Sequence, residues 1–285
     1  MGIAHASSRN EMFPARVAVI VPAYPQENSM LKKYLAAAAL LLAVHFVPGT
    51  IGASQAAQIC VFQPLPAGQV ITAASYLSSC PGGKAYTIAL PYHGIQVCAN
   101  SPIPNPYAVT GTSGSSACGG LNRYTLAKAD MFSNLLVCTF SPVPSQYIIT
   151  SFYPSVTSCA GNGYFIKKAV DNDNACAFSP IPSGFVIDGT YRSSSCNGSA
   201  HHNLRLPYEG ISVCPNSPIA QGYVITGTFN SNSCYGMSSE HVLRKPYDGI
   251  VVCGYSPLPS GFYAASQVRV SNCGTATYGW MLRKS

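Results

Sequence analysis

Cysteines are the residues whose type and spacing best define the chemistry of this chain. Twelve of them lie between Cys60 and Cys273 in a sequence of 285 residues, and they recur at nearly even intervals. The same short sequence motifs recur around them in the same order, so the cysteines mark six tandem copies of a module of 38 to 40 residues. The pattern predicts structural disulfides, because units of this size bury too little apolar surface to fold alone.

The spacing also favours one pairing scheme. Within a copy the two cysteines lie 20 or 21 residues apart, whereas the interval to the next copy varies from 17 to 20 residues. A near-constant interval indicates a segment tied at both ends. We predict six disulfides within the copies, Cys60–Cys80, Cys98–Cys118, Cys138–Cys159, Cys176–Cys196, Cys214–Cys234 and Cys253–Cys273. The alternative joins each second cysteine to the next copy, so that Cys60 pairs with Cys273 and closes a ring.

Histidines and carboxylates are the other groups that could do chemistry, and their pattern is weak. His201 and His202 are adjacent, so on a strand they face opposite ways. His202 and His241 share one position in neighbouring copies, but no third ligand recurs beside them, which favours a polar position over a metal site. Asp171 and Asp173 lack the later Gly and Glu of a calcium loop and are more typical of an Asx turn.

No nucleophile motif accompanies these groups. The chain has no GxSxG sequence, and its few carboxylates do not recur in pairs. A serine triad could still assemble in space. We nevertheless expect a noncatalytic protein without a cofactor or metal, because no copy of the module gains a distinct polar cluster.

Tyrosines give the best positive indication of function. Tyr92, Tyr208 and Tyr247 lie at the tips of recurring Pro-Tyr-x-Gly turns, where a ring is less suited to a core. Surfaces of Tyr, Ser, Gly and Asn make adaptable contacts, and repetition adds avidity. These three are therefore candidate binding residues for a protein or glycan surface. Tyrosines within strands, such as Tyr147 and Tyr191, are expected to pack instead.

Alternation and turn chemistry predict the elements that position these residues. Apolar residues alternate along 185–191, which is typical of a strand. The segments 203–206 and 211–214 flank Pro-Tyr-Glu-Gly, which predicts a hairpin. The Ser-Pro-x-Pro segment of each copy predicts an extended connector. We therefore expect an all-β protein in which each copy is a three-stranded antiparallel meander.

Two arrangements of the copies are consistent with this pattern. A linear array, in which each copy packs on its neighbours, needs no closure and is favoured. A closed, propeller-like ring is the alternative, because the first and last segments of the repeat region resemble the two halves of one hairpin. Propeller blades normally have four strands, however, and the copies predict three.

The N-terminal region predicts secretion. Lys32 and Lys33 precede an apolar stretch over 34–47, and a run of small residues over 52–57 offers cleavage sites. The predicted organisation is an upstream extension at 1–29, a signal peptide at 30–56, and repeats at 57–97, 98–137, 138–175, 176–213, 214–252 and 253–285. The protein is expected to be secreted or extracellular, or alternatively periplasmic or cell-surface associated. The apolar stretch is short for a transmembrane helix, so no stable membrane insertion is expected after cleavage.

Charge excludes one partner class and leaves two function classes. The net charge of +7 is spread without a basic cluster, so nucleic-acid binding is not expected. The first class is a noncatalytic protein with an adhesive, binding or envelope-structural role. The second is a protease inhibitor or toxin-like module that offers the residue before the Ser or Gln of each copy to a pocket, although these residues could equally cover the disulfides. They are Phe62, Asn100, Phe140, Phe178, Asn216 and Tyr255.

Overall fold

The computed structural model describes residues 57–285, and these residues form an all-β array of six three-stranded units. The predicted upstream extension and signal peptide lie outside the described residues. Within 57–285 there is no α-helix, and no helix is long and apolar enough to cross a membrane. Short 3-10 turns lie at Pro81–Gly83, Ser116–Cys118, Ala129–Met131, Thr157–Cys159 and Ser194–Cys196.

Eighteen strands supply three to each repeat, and the first strand of repeats 2 to 6 begins two or three residues before the predicted boundaries at 98, 138, 176, 214 and 253. Repeats 1 to 3 contain β1 Ala57–Cys60, β2 Val70–Tyr76, β3 Lys84–Ala89, β4 Gln96–Cys98, β5 Tyr107–Ser113, β6 Arg123–Lys128, β7 Leu135–Cys138, β8 Tyr147–Val156 and β9 Gly161–Lys168. Repeats 4 to 6 contain β10 Asp173–Cys176, β11 Val186–Arg192, β12 Ala200–Arg205, β13 Ser212–Val213, β14 Val224–Asn230, β15 Ser239–Arg244, β16 Val251–Cys253, β17 Phe262–Cys273 and β18 Ala276–Lys284.

All six predicted disulfides are confirmed. Each joins the end of the first strand of a repeat to the residue that closes the segment before the third strand, with Cα atoms 5.2 to 5.6 Å apart. The bridge therefore brings the first and third strands together. In repeat 1, for example, Cys60 lies opposite Ala85 in the β1–β3 pair.

The predicted meander is wrong in its strand order. In every repeat the third strand lies in the centre and pairs antiparallel with both others, so the order in repeat 1 is β1-β3-β2. The physical reason is the disulfide, which holds the first strand against the third and leaves the second strand on the opposite edge.

The predicted Pro-Tyr-x-Gly hairpin is also wrong. The strands on either side of this turn, β12 and β13, belong to different sheets. The Gly210 N–H at the end of the turn donates to the Leu243 carbonyl of the next repeat, 2.9 Å away. The turn therefore connects consecutive repeats. The strands of repeat 1 form a sheet of their own, whereas those of repeat 6 continue the sheet of repeat 5 through a parallel pair of Thr228 with Cys273.

A β-bulge in the second strand of each repeat exposes backbone groups that can bond to the next repeat. The pairing register shifts at the same position in all six repeats, between Ile71 and Ala73, Val109 and Gly111, Ile149 and Ser151, Ile187 and Gly189, Ile225 and Gly227, and Ala264 and Ser266. A bulge interrupts the ladder and leaves backbone groups without strand partners. These groups become available to a neighbour.

The serine of Ser-Pro-x-Pro accepts a backbone hydrogen bond from the preceding repeat at each of the five junctions. Its Oγ accepts a bond of 2.8 Å from the residue just before the bulge, in the pairs Ile71–Ser101, Val109–Ser141, Ile149–Ser179, Ile187–Ser217 and Ile225–Ser256. The same hydroxyl donates to the carbonyl of the proline that follows it. The serine therefore links a bulge in one repeat to the extended connector of the next.

The carbonyl of the bulge residue is also satisfied across the junction. Four different residue types of the next repeat donate to it, in the pairs Arg123–Thr72, Ser158–Thr110, His201–Thr150 and Asn272–Thr226, at 2.9 to 3.3 Å. The position of the bond is therefore kept while the side chain that makes it changes.

The hydrophobic core is continuous across repeats. One cluster joins Val70 of repeat 1 and Leu126 of repeat 2 to the Cys138–Cys159 disulfide of repeat 3. The other clusters follow the same plan, so each disulfide of repeats 2 to 6 covers the core of the preceding repeat. The clusters and strand pairs of residues 57–285 join only nearby repeats, and none joins repeat 1 to repeat 6, as a linear array requires.

Replacing a junction serine should weaken the array. Ser179→Ala removes the acceptor of the buried Ile149 N–H, so we expect the free energy of unfolding to fall by about 1–3 kcal/mol. Ser183→Ala, an exposed serine of the same connector, is the matched control. Urea unfolding at constant pH measures both variants, and equal stabilities would contradict the junction bond.

Burial predicts the order in which the disulfides are reduced. Cys60 is half-buried, whereas both sulfurs of the Cys176–Cys196 pair belong to fully buried residues. Mild reductant followed by alkylation and mass spectrometry should therefore label Cys60 and Cys80 first. Labelling of Cys176 and Cys196 at the same rate would show that burial does not protect the internal bridges.

Candidate binding surfaces

Apolar side chains are exposed on every connector between repeats. We call this set the connector edge, and it consists of Leu90, Tyr92, Met131, Phe132, Val170, Leu206, Tyr208 and Tyr247. The three tyrosines proposed from the sequence are exposed by 62%, 56% and 57%. Their rings therefore face solvent rather than a core. These residues recur on successive connectors, and grouped exposed apolar residues mark interaction surfaces more often than scattered ones do.

Backbone bonds hold the connector turns in place. The glycine that ends each Pro-Tyr-x-Gly turn has a positive φ, and its N–H donates to the central strand of the next repeat, as Gly94 does to Leu126 at 2.7 Å. The hydroxyls of Tyr107 and Tyr223 donate to the carbonyls of Pro91 and Pro207 in the preceding turns. The exposed rings thus stand on turns of fixed conformation.

Carboxylates from the connectors add a second set of bonds to the next repeat. Each accepts the N–H of a residue at the end of the next central strand, in the pairs Asp171–Leu206, Glu209–Lys245 and Asp248–Lys284, at 2.8 to 3.1 Å. The Arg283 guanidinium also donates to Asp248, at 2.7 Å. The bond from Lys284 and the neighbouring Arg283 lower the pKa of Asp248 from its ordinary 3.8.

These contacts explain the acidic residues that the sequence left without a role. Asp171 and Asp173 do not converge on a common point, because Asp173 pairs with Lys167 and accepts the Val170 N–H. The predicted Asx turn is wrong for Asp173, because its carboxylate accepts the N–H of Val170, three residues earlier, rather than that of the residue two positions later. An acidic residue in a connector recurs with a basic residue at the end of the next central strand, and this recurrence in the sequence could have predicted these bonds.

A second row of side chains, the aromatic ladder, crosses the junctions at the other end of the central strands. Its central-strand members are Tyr86, Tyr124, Tyr164, His202, His241 and Trp280. Three of them stack on the ring that precedes the serine of the next repeat, in the pairs Tyr124–Phe140, Tyr164–Phe178 and His241–Tyr255, with ring centroids 5.0 to 5.4 Å apart. These pairs cover the outer side of the junctions. Aligning the copies on their central strands would have found this row.

The residues considered for a protease pocket differ in whether they stack on the aromatic ladder. Phe140, Phe178 and Tyr255 stack on rings of the preceding repeat and so serve the junctions. Phe62, in repeat 1, is 80% exposed. Three of the six residues therefore pack between repeats, and these ring contacts do not test the prediction that they cover the disulfides.

His201 is the histidine with the most polar contacts. Its Nδ1 lies 3.1 Å from the Tyr191 hydroxyl, and its Nε2 lies 3.3 Å from the Thr150 carbonyl and 3.4 Å from the Ser195 hydroxyl. Because a carbonyl only accepts, Nε2 must carry the proton and is not placed as a base for Ser195. The contact instead ties repeat 4 to repeat 3.

The same histidine belongs to the one group of potential metal ligands found within residues 57–285. The other members, Cys176 and Cys196, form a disulfide, so they offer no thiolate to a metal ion. His202 and His241 lie at equivalent ladder positions on β12 and β15.

Comparison with family models, with curated proteins and with solved structures found no match for this chain. The two surfaces are therefore interpreted from their own chemistry. The connector edge offers exposed apolar rings on fixed turns, and the aromatic ladder offers partly exposed rings between repeats.

The ladder histidines predict an acid-sensitive stability. Burial lowers the pKa of both His202 and His241 from the ordinary 6.5, and the neighbouring His201 adds to the effect at His202, although a bond to the Ala177 backbone opposes it. The unfolded chain then binds more protons than the folded one below about pH 6.5. Stability should be full above this pH and decrease as the pH falls through it.

A double variant tests this prediction. His202→Tyr with His241→Tyr installs the ring that repeats 1 to 3 carry, so the loss of stability between about pH 7.5 and pH 5 should shrink. Urea midpoints across this range measure it, with the exposed connector residue His93→Asn as the control. A double variant that keeps the full pH dependence would contradict the assignment.

Proposed function

We propose that this protein is a secreted, noncatalytic binding module that engages a protein or glycan surface through its connector edge. The observation that carries the proposal is the exposure of Tyr92, Tyr208 and Tyr247 on turns that are fixed by bonds to the next repeat. Turns held in one conformation before binding lose little backbone entropy on binding, and tyrosine is enriched among the residues that dominate interface energies.

The repeat architecture supports a multivalent mode. Tyr208 and Tyr247 lie on consecutive connectors, and each turn is joined to the next repeat through Glu209 or Asp248. Neighbouring rings are therefore held at a fixed spacing. A surface that presents a repeated feature would engage several connectors at once, which raises the avidity above that of one contact.

The disulfides support an oxidising location. Six bridges and no free cysteine within residues 57–285 are consistent with an extracellular protein. We propose secretion through the N-terminal signal, with the periplasm or the cell surface as alternative destinations. An inhibitory role is less well supported, because Phe140 and Phe178 are already packed on rings of the preceding repeats.

Binding to glycan arrays and to panels of extracellular proteins tests the proposal. We expect the oxidised protein to bind a member of one panel, and the triple variant Tyr92→Ala, Tyr208→Ala, Tyr247→Ala to lose about tenfold in affinity per ring engaged. The fold should persist, because these rings are more than half exposed.

A double variant of exposed tyrosines outside the connector edge, Tyr153→Ala with Tyr263→Ala, is the matched control. Its affinity should stay near that of the unmodified protein. If the triple variant and the control bind equally well, the connector edge is not the binding surface. If the oxidised protein binds nothing in either panel, the proposed function itself is wrong.

A further inference from the structure

A groove of about 650 Å³ lies at the junction of repeats 1 and 2. Its walls include Tyr76, Tyr86 and Leu121, and its rim carries Lys84 and Asn100. A volume of this size suits a small ligand or a single large side chain, and apolar walls with a few polar groups are typical of binding pockets.

The groove opens where the aromatic ladder lacks a ring. At the next junction Phe140 stacks on Tyr124, with centroids 5.0 Å apart. At the junction of repeats 1 and 2 the equivalent residue is Asn100, whose Nδ2 donates to the Tyr86 hydroxyl at 3.0 Å. An amide is much smaller than a phenyl ring, so Tyr86 is left with an open space beside it.

Exposed side chains from both repeats form the walls of the groove. Tyr76 is 81% exposed, and its ring lies against the backbone of Gly83, where an added Cβ would meet the ring at 2.2 Å. Leu121, 45% exposed, faces the groove from repeat 2. Two tyrosines and a leucine thus frame an apolar space that is open to solvent.

The other junctions show which group fits beside the central-strand ring. Phenylalanine fills the place beside Tyr124 and Tyr164, and Tyr255 fills it beside His241. Tilted ring pairs at such distances contribute more than their buried area alone. The same fold therefore accepts an aromatic side chain at this position three times.

We propose that the groove between repeats 1 and 2 binds an aromatic side chain, phenylalanine or tyrosine, presented by a partner protein or peptide. The incoming ring takes the place beside Tyr86 that Phe140 takes beside Tyr124. Lys84 makes no ion pair among residues 57–285, so its ammonium group can receive a backbone carbonyl or a carboxylate of the partner.

This site is separate from the connector edge. The groove lies at the start of β3, at Lys84, whereas the connector edge begins just after Ala89 at its end. The two ends of this six-residue strand are about 17 Å apart. The inference therefore goes beyond the proposed function and can fail independently of it.

Titration of the isotope-labelled, oxidised protein with N-acetyl-phenylalaninamide, followed by NMR, tests the proposal. We expect saturable shifts of the Gly83 and Gly119 backbone amides and of the Asn100 side-chain amide, with half-saturation at roughly millimolar probe. N-acetyl-alaninamide, which lacks the ring, should cause no such shifts.

Asn100→Phe supplies the missing ring from the chain itself. Because the change copies the Phe140 position, the variant should fold, and it should weaken probe binding at least tenfold. Asn216→Phe, at the equivalent position beside His202, is the matched control and should leave binding unchanged. Tyr76→Ala removes an exposed wall of the groove and should also weaken binding, which keeps the test valid if Asn100→Phe misfolds.

Several results would overturn the proposal. Shifts at the same amides with methyl β-glucoside but not with the aromatic probe would assign the groove to a sugar. Concentration-dependent shifts without probe that disappear in Phe62→Ala would assign it to a second copy of the chain. No shifts with the aromatic probe, or equal binding by Asn100→Phe and the unmodified protein, would show that the groove does not bind an aromatic side chain.

Discussion

A bulge in the second strand of each repeat releases one backbone N–H and one carbonyl that the next repeat must satisfy. At five junctions the serine of Ser-Pro-x-Pro accepts the N–H, and at four of them a side chain of the following repeat donates to the carbonyl. Buried backbone groups without partners are costly, so these bonds fix how consecutive repeats meet. These bonds run from each repeat to the next, and among residues 57–285 no strand pair or core cluster joins repeat 6 to repeat 1, as in a linear array.

The disulfides act on two levels in this arrangement. Within a repeat, each bridge places the first strand against the third and shortens the unfolded chain's loops, an effect worth about 3 kcal/mol for a loop of 20 residues. Between repeats, the same bridge covers the core of the preceding unit, as Cys138–Cys159 does for Val109 and Leu126. Units of about 38 residues can therefore share a core that none could bury alone.

The sequence predicted the parts of the fold that depend on spacing and periodicity. The near-constant interval between Cys60 and Cys80, repeated five more times, was sufficient for the pairing, and alternation was sufficient for the strands. The hairpin predicted from Pro-Tyr-Glu-Gly was wrong because a turn motif reports only on local sequence. The Cys214–Cys234 bridge, which is distant in sequence, sets the pairing of β13 with β15.

The candidate site was partly predictable for the same reason. A tyrosine at a turn tip could be expected to face solvent, as Tyr208 does. The bond from the Lys245 N–H to Glu209 and the stack of Tyr124 on Phe140 join different repeats, so they appear only when the copies are compared position by position.

Native-state amide hydrogen exchange tests the central claim most directly, because the chain contains its own control. Five residues that precede a bulge, including Ile149 and Ile187, donate their N–H to a serine of the next repeat, whereas Ala264 occupies the same position in repeat 6 and is exposed. The account predicts slow exchange at the five and fast exchange at Ala264. Equal exchange rates at all six positions would contradict the claim that the bulge and the serine couple the repeats.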